Sequence, residues 1–439
     1  MAKFVIKGGN QLNGKVKISG AKNSALKIMA ASILATGTTI LKNVPAIDDV
    51  ITMVEVLSTI GADISFNSST NEVKINCDNI KTFEAPYELV RKMRASILVA
   101  GPLLSRFGEV KVAIPGGCNI GSRQIDLHLK GFEMLGAQNK LEHGYIYSKV
   151  LSSASSSIGH TSISKNFKRK LKGAEINLEF PSRGATENIM MAACLATGKT
   201  IINNAAKEPE INDLANFLNK CGAKITGIGT DSIVIEGVEE LKGCEYTVMP
   251  DSIETGTFII AGALCGKKIE INDAIWDNMG IFCQKLKDIG INLINKDADK
   301  TIIVKKSKTL LKPAYISTLP FPGFPTDLQP IIAVLLCTIP GISVITENVF
   351  ENRFMYVDEL NRMGANIRID GHHAVITGVN KLSGAPVNAS DLRAGAALVL
   401  AGLIADGTTE IYDIHHILRG YENFDKKLRN LGADIIKVS

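Results

Sequence analysis

TGKTIINNAAKEPEINDLANFLNKCGAKI, residues 197–225, carries the pattern that decides the fold. A glycine turn at Gly198 leads into a short alternating run, and an amphipathic segment then ends at Gly222. The same pattern returns as TGTTILKNVPAIDDVITMVEVLSTIGADI (36–64), CGKKIEINDAIWDNMGIFCQKLKDIGINL (265–293) and DGTTEIYDIHHILRGYENFDKKLRNLGADI (406–435). The turn glycines are Gly37, Gly108, Gly198, Gly266, Gly341 and Gly407, and the helix-end glycines Gly61, Gly136, Gly222, Gly290, Gly364 and Gly432. The two glycines of a copy are 23 (Gly341 to Gly364) to 28 (Gly108 to Gly136) residues apart. A spacing held six times is an internal repeat, and a repeat sets the architecture before any other signal.

Each copy reads as helix, strand, helix and then strands. ADISFNSSTNEVKI (62–75) alternates like a hairpin. The helix-end glycine is placed to cap in the left-handed conformation. The first helices, such as NSALKIMAASILA and GATENIMMAACLA, are apolar almost all round. Such helices are buried on every side, so inner helices enclosed by sheets are expected, with the second helices outside. Six units divide as three plus three. The widest spacing, Gly108 to Gly198, contains SSASSSIGHTSISKNFKRK (152–170), read as a solvated insertion without apolar period.

Composition narrows the function classes. The 439 residues exceed a typical single core, which predicts more than one domain. One tryptophan, Trp276, and 5% aromatics argue against a base-stacking nucleic-acid binder. A net charge of +5, spread along the chain, suits small anionic substrates. The eight cysteines form no CxxC pair, which argues against zinc and thioredoxin-type motifs. Cys194 and Cys337 lie in apolar runs and read as core residues. MAKFVIKGGNQ lacks a signal-peptide core, and AGAALVLAGLIA (394–405) is too short to span a bilayer, so a cytoplasmic protein without membrane insertion is expected. No GxGxxG after a strand and no GxxxxGK[ST] occurs, and no metal or organic cofactor is expected.

One stretch stands apart from the core cysteines. In IPGGCNIGSRQID (114–126), Cys118 follows two glycines, and Arg123 supplies a fork suited to carboxylate or phosphate. This segment belongs to a series: GAKNSAL (20–26), MRAS (93–96), PGGCNIGSRQIDLH (115–128), PDSIETGTF (250–258), FPTD (324–327), VFENRFM (349–355), DLRA (391–394) and LRGYE (418–422). In this order and spacing the series resembles the UDP-N-acetylglucosamine enolpyruvyl transferase family from end to end, interrupted mainly by 152–170. The resemblance implies an α/β fold: a two-domain inside-out α/β barrel built from six βαβαββ repeats, three per domain. Domain one would cover 22–249, with domain two formed by 1–21 and 250–439.

The activity implied is transfer of the enolpyruvyl group of phosphoenolpyruvate to the 3-hydroxyl of UDP-N-acetylglucosamine with release of phosphate, an early step of peptidoglycan synthesis. That chemistry calls for cations to hold two anionic substrates, a carboxylate base and a proton donor. By resemblance Lys22 binds phosphoenolpyruvate and Asn23 the sugar nucleotide. Lys22 alone would read as a solvated surface group, although a helix N-terminus beside it would favour an anion. Cys118 maps to a mobile-loop cysteine that acts in proton transfer or product release and is alkylated by fosfomycin; nearby cations would favour its thiolate. Arg123 and Arg419 map to phosphoenolpyruvate-binding arginines, and Arg94 to another cleft arginine. Arg419 lies far along the chain from Lys22, which predicts an open–closed motion.

Asp327 maps to the residue that takes the proton from the sugar hydroxyl, and Asp391 to a second active-site carboxylate; both also read as helix N-caps. Val349, Glu351 and Arg393 match further substrate-binding positions, and Asp251 one concerned with structure or closure. Asp126 and Leu127 match the segment that holds uracil, Ser182 and Gly184 a diphosphate loop, and His128 reads as a satisfied group behind them. Arg183 and Ser252 depart from the family pattern. A monomer or weak homo-oligomer is expected. The alternatives are the sister enzyme acting on shikimate 3-phosphate, which lacks the Cys118 loop, a sugar-nucleotide-sensing paralogue, and a purely structural repeat scaffold.

Overall fold

The structure, a computed structural model, describes residues 2–91, 93–114, 125–150 and 170–438. The opening stretch folds around one sheet. Helix Arg183–Ala193 leads through the turn at Gly198 into strand Lys199–Asn203, and helix Pro209–Lys220 follows. Pro209 suits the first turn of that helix, because its missing N–H would have no partner there. Ile211, Leu214, Ala215, Phe217 and Leu218 give the helix one buried face. The hairpin Lys224–Thr226 and Ser232–Glu236 completes the unit, and Glu175–Asn177 runs parallel beside Lys199–Asn203. The sheet order is first, second, fourth, third strand of a βαβαββ repeat.

The other five four-stranded sheets repeat this order. Three of them draw a strand from far away in sequence. Lys3–Lys7 lies between Thr408–Tyr412 and Asp434–Val438. Leu12–Lys17 runs parallel to Gly266–Asn272, and Glu245–Thr247 runs parallel to Thr38–Lys42. The described residues therefore form two compact units, one lying within 20–249 and the other made of 2–19 with 250–438. Each contains three four-stranded sheets among the described residues.

The inner helices are buried as their composition demands. Every residue from Arg393 to Leu403 is buried in helix Leu392–Ile404, and nine of the ten residues of Lys22–Ala31 are. Each unit has its own apolar core, one centred on residues such as Met29, Leu103 and Ile189, the other on Phe258, Ile332 and Leu398. Among the described residues the sheets of a unit are not hydrogen-bonded into a closed barrel. Their outer strands are short, Glu84–Ala85 being two residues, and the sheets meet through side chains packed on the helices instead.

All six helix-end glycines have φ between +89° and +108°. This is the left-handed cap that only glycine adopts without strain. Gly266 differs from the other turn glycines, with φ −79° and no turn before its strand. A Cβ there would lie 2.5 Å from the Gly262 carbonyl oxygen, so space rather than handedness requires glycine.

Candidate active site

In the unit formed by 20–249, the expected residues lie where helices begin. Lys22 opens helix Lys22–Ala31 with no side-chain cap before it. Its ammonium is nearly buried and lies 2.6 Å from the Asp49 carboxylate, at the start of helix Asp48–Ile60. Asn23 beside it is half-buried. Arg94 begins the short 3-10 helix Arg94–Val99. Asp126, exposed, and Leu127 open helix Asp126–Met134. Ser182 caps helix Arg183–Ala193, its hydroxyl accepting from the Ala185 N–H at 3.4 Å. Helix N-termini offer free amides and a positive dipole end, the ordinary way to hold phosphate or carboxylate.

Asn188 joins three of these helices. Its Oδ1 accepts the Gly101 N–H at 2.7 Å, and its Nδ2 donates to the Ile97 carbonyl at 3.1 Å. That fixes the amide's orientation, so Nδ2 also donates to Nδ1 of buried His128 at 3.0 Å. His128 therefore accepts at Nδ1 and is neutral, with its proton on Nε2. Burial, with the Arg94 charge adding to it, lowers the His128 pKa to about 4. A Cβ on Gly184 would come within 3.2 Å of this ring, which is where the bare glycine backbone is needed. Arg183 lies 3.6 Å from Glu208 and 3.8 Å from Glu210.

In the other unit, three aspartates stand at equivalent helix starts. Asp251 caps Ser252–Cys265 through the Ile253 and Glu254 amides, at 2.8 and 2.9 Å. Asp391 caps Leu392–Ile404 through the Arg393 and Ala394 amides, at 2.8 and 3.1 Å. Asp327 departs from the capping expectation. No side chain caps the turn Thr326–Leu328 or helix Gln329–Cys337, because Asp327 is turned to Arg353, whose Nη2 donates to it at 2.9 Å. Arg393 Nε lies 3.9 Å from the same carboxylate oxygen, and its guanidinium sits over the Tyr421 ring at 5.3 Å. Burial works against the Arg393 charge, but Tyr421, Asp327 and Asp251 hold its pKa above the ordinary value.

Several polar atoms here are buried without a hydrogen-bond partner among the described residues. They include Nε and Nη1 of Arg393, Nε of Arg353, Oδ2 of Asp391 and the Tyr356 hydroxyl. Buried polar atoms are nearly always paired, so these atoms call for polar partners. Glu347 supports the region from behind. Its carboxylate accepts the Val349 and Phe350 amides and the Thr326 hydroxyl. Val349 and Glu351 line a cavity of about 240 Å³ with Glu347, Asn348, Phe350 and His372. Arg419 is half-buried at the end of helix His415–Leu418.

Cys118, Arg123 and nearly all of 152–170 lie outside the described residues. Arg353 was absent from the candidate residues, although it stands in the VFENRFM segment; a lone arginine carries no local signal of its partner. Asp49 and Asn188 were missed for the same reason. Among the described residues no group of three or more His, Cys, Asp or Glu is placed to hold a metal ion, and no helix is long and apolar enough to cross a membrane.

In each unit, charged side chains stand at helix starts, an arrangement suited to binding anionic substrates. Residues 6–428 match the family described as EPSP synthase (3-phosphoshikimate 1-carboxyvinyltransferase), and the chain belongs to this family of enolpyruvyl transferases. Within it, the chain is 54% identical over its whole length to UDP-N-acetylglucosamine 1-carboxyvinyltransferase 2 of Carboxydothermus hydrogenoformans, whose full length is also covered. It is 50% identical to UDP-N-acetylglucosamine 1-carboxyvinyltransferase 1 of Staphylococcus aureus, again over all of both chains. The fold is shared with the enolpyruvyl transferase NikO from Streptomyces tendae, at TM-score 0.86 and 23% identity over 100% of this chain and 99% of that one. It is shared too with EPSP synthase from Acinetobacter baumannii, at TM-score 0.75 and 17% identity over all of both chains.

Proposed function

We propose that the protein transfers the enolpyruvyl group of phosphoenolpyruvate to the 3-hydroxyl of UDP-N-acetylglucosamine and releases phosphate. The observation that carries this reading is Asp327, held by Arg353 with Arg393 nearby, amid buried polar atoms that lack partners. Full-length identity of 50–54% to relatives named for that activity favours this acceptor over shikimate 3-phosphate. The role in peptidoglycan synthesis and a cytoplasmic location follow from the same reading.

Asp327 takes the proton of the sugar hydroxyl, and its arginine partners aim it. The hydroxyl oxygen then bonds to C2 of phosphoenolpyruvate while C3 gains a proton, giving a tetrahedral adduct. Loss of a proton from C3 as the C2–phosphate bond breaks restores the double bond and frees phosphate. Cations stabilise the charge on the transferring group, a task for Lys22, Arg123 and Arg419, with Arg94 near the nucleotide. Cys118 serves proton transfer or product release and is the residue that fosfomycin alkylates. Asn23, Asp126, Leu127, Ser182, Gly184, Val349, Glu351 and Arg393 hold the sugar nucleotide, and Asp391 orders the helix start beside Arg393.

The test is phosphate release from phosphoenolpyruvate with each acceptor in turn. Release with UDP-N-acetylglucosamine alone is expected, with Asp327→Asn lowering kcat at least about 100-fold, the scale of a lost general base. Turnover with shikimate 3-phosphate instead would assign the sister activity. Tight binding of the sugar nucleotide without phosphate release would point to a sensing protein.

A further inference from the structure

Two thiols that are not among the residues above stand next to each other. Cys221 ends helix Pro209–Lys220, and Cys244 precedes strand Glu245–Thr247. Their sulfurs are 3.6 Å apart, the one contact between two cysteine sulfurs among the described residues. The backbone beneath them is pinned, since Lys242 N–H donates to the Cys221 carbonyl at 2.8 Å. Cys221 is 5% exposed, whereas Cys244 is only half-buried and open to small solutes.

We propose that Cys221 and Cys244 form a reversible disulfide when the protein meets a peroxide. The Cys244 thiolate attacks one peroxide oxygen. An S–O bond forms, the O–O bond breaks, and hydroxide leaves, taking up a proton as water. The Cys221 sulfur then attacks the Cys244 sulfenic acid. The S–S bond forms, the S–O bond breaks, and a second water carries away the Cys221 proton. Two thiols and one hydrogen peroxide thus give one disulfide and two waters. A disulfide needs its sulfurs at ~2.05 Å, so they must approach by about 1.5 Å. Burial and the adjacent Cys244 raise the Cys221 pKa, so Cys221 is the resolving partner and not the site of first attack.

The bond would have a local consequence. Asp213, on the same helix as Cys221, accepts the Tyr246 hydroxyl at 2.7 Å and the Met249 N–H at 3.2 Å. Segment 244–249 is already tied to the helix near its far end, and the disulfide would tie its near end as well. It would close a loop between residues 23 apart, joining the last helix of one repeat to the first strand of another.

The full-length reduced protein is treated with hydrogen peroxide, alkylated, digested and analysed by mass spectrometry. A Cys221–Cys244 cross-linked peptide is expected, reversed by dithiothreitol, together with a higher melting temperature. Cys244→Ser and Cys221→Ser should each remove both effects. Full alkylation of both cysteines after peroxide treatment, their overoxidation to sulfinic acid, or pairing of Cys221 with buried Cys194 would overturn the proposal. Cys244 is half-buried, so its serine variant keeps the test open should Cys221→Ser fail to fold.

Discussion

Glu187 sits in a setting far from its ordinary chemistry. It lies on inner helix Arg183–Ala193, is fully buried, and faces Lys27 of inner helix Lys22–Ala31 at 2.9 Å. Burial raises its pKa to about 7, against the opposing pull of Lys27 and Arg183 and with Glu210 adding to the rise. The folded chain therefore holds this proton up to about pH 7, where the unfolded chain loses it near 4.5. Stability from Glu187 is present below pH 4.5 and lost as pH rises through 7. Glu187→Gln mimics the protonated form, so the variant should gain on the wild type by about 1–3 kcal/mol between pH 4.5 and 7.5. Urea titrations across that range measure the difference; a constant offset would refute the assignment. His128 has the opposite sign, losing stability as pH falls from 6.5 towards 4, and it cancels because both proteins carry it. Little of this was legible in the sequence. Lys22, Asp327 and Asp391 could be placed by their motifs, but a buried partner such as Arg353 or Glu187 is fixed by packing between distant helices.

Elements were easier to read than partners. Each helix-end glycine reports a local backbone need, and alternation or all-round apolarity reports burial, so the repeats stood out. The pairing of Lys3–Lys7, Leu12–Lys17 and Glu245–Thr247 left no local trace, because strand partners are chosen by the topology of the unit. Glycine also sets how closely inner helices approach. A Cβ on Gly101 would lie 2.3 Å from the Asn188 carbonyl oxygen and 2.5 Å from its Oδ1. Gly101→Ala must push apart the helix pair that orients His128, and a cost of about 1–3 kcal/mol is expected. Gly280→Ala is the control. Its Cβ meets nothing and its φ is −46°, so it should stay within about 0.5 kcal/mol of wild type. Thermal melts of the pair decide it, and equal stabilities would remove close packing as the reason for Gly101.

At the scale of the whole molecule, the division into units predicts which pieces are self-sufficient. All strands of the 20–249 unit come from within it, and its core shares no residue with the other. A fragment of 20–249 should fold alone and melt cooperatively. The fragment 250–439 lacks Lys3–Lys7, a strand inside one sheet, and Leu12–Lys17, the edge of another. It should fold only when a peptide of residues 1–19 is added, as circular dichroism would show. Cooperative folding of 250–439 alone would mean that the two strands are dispensable.

The placement of those strands also sets an order of events on the ribosome. Residues 2–19 leave the exit tunnel before 20–249, yet they belong to the unit whose remaining chain is made after it. While 20–249 emerges and can begin to fold, the segment holding Phe4 and Ile6, both fully buried at the end, waits with its apolar side uncovered. Its two sheet neighbours, Thr408–Tyr412 and Asp434–Val438, are made only after the whole of 20–249. At about 5–20 residues per second, that interval lasts roughly 20 to 90 seconds. For that time the nascent protein carries an unpaired, aggregation-prone strand, a natural handle for a chaperone.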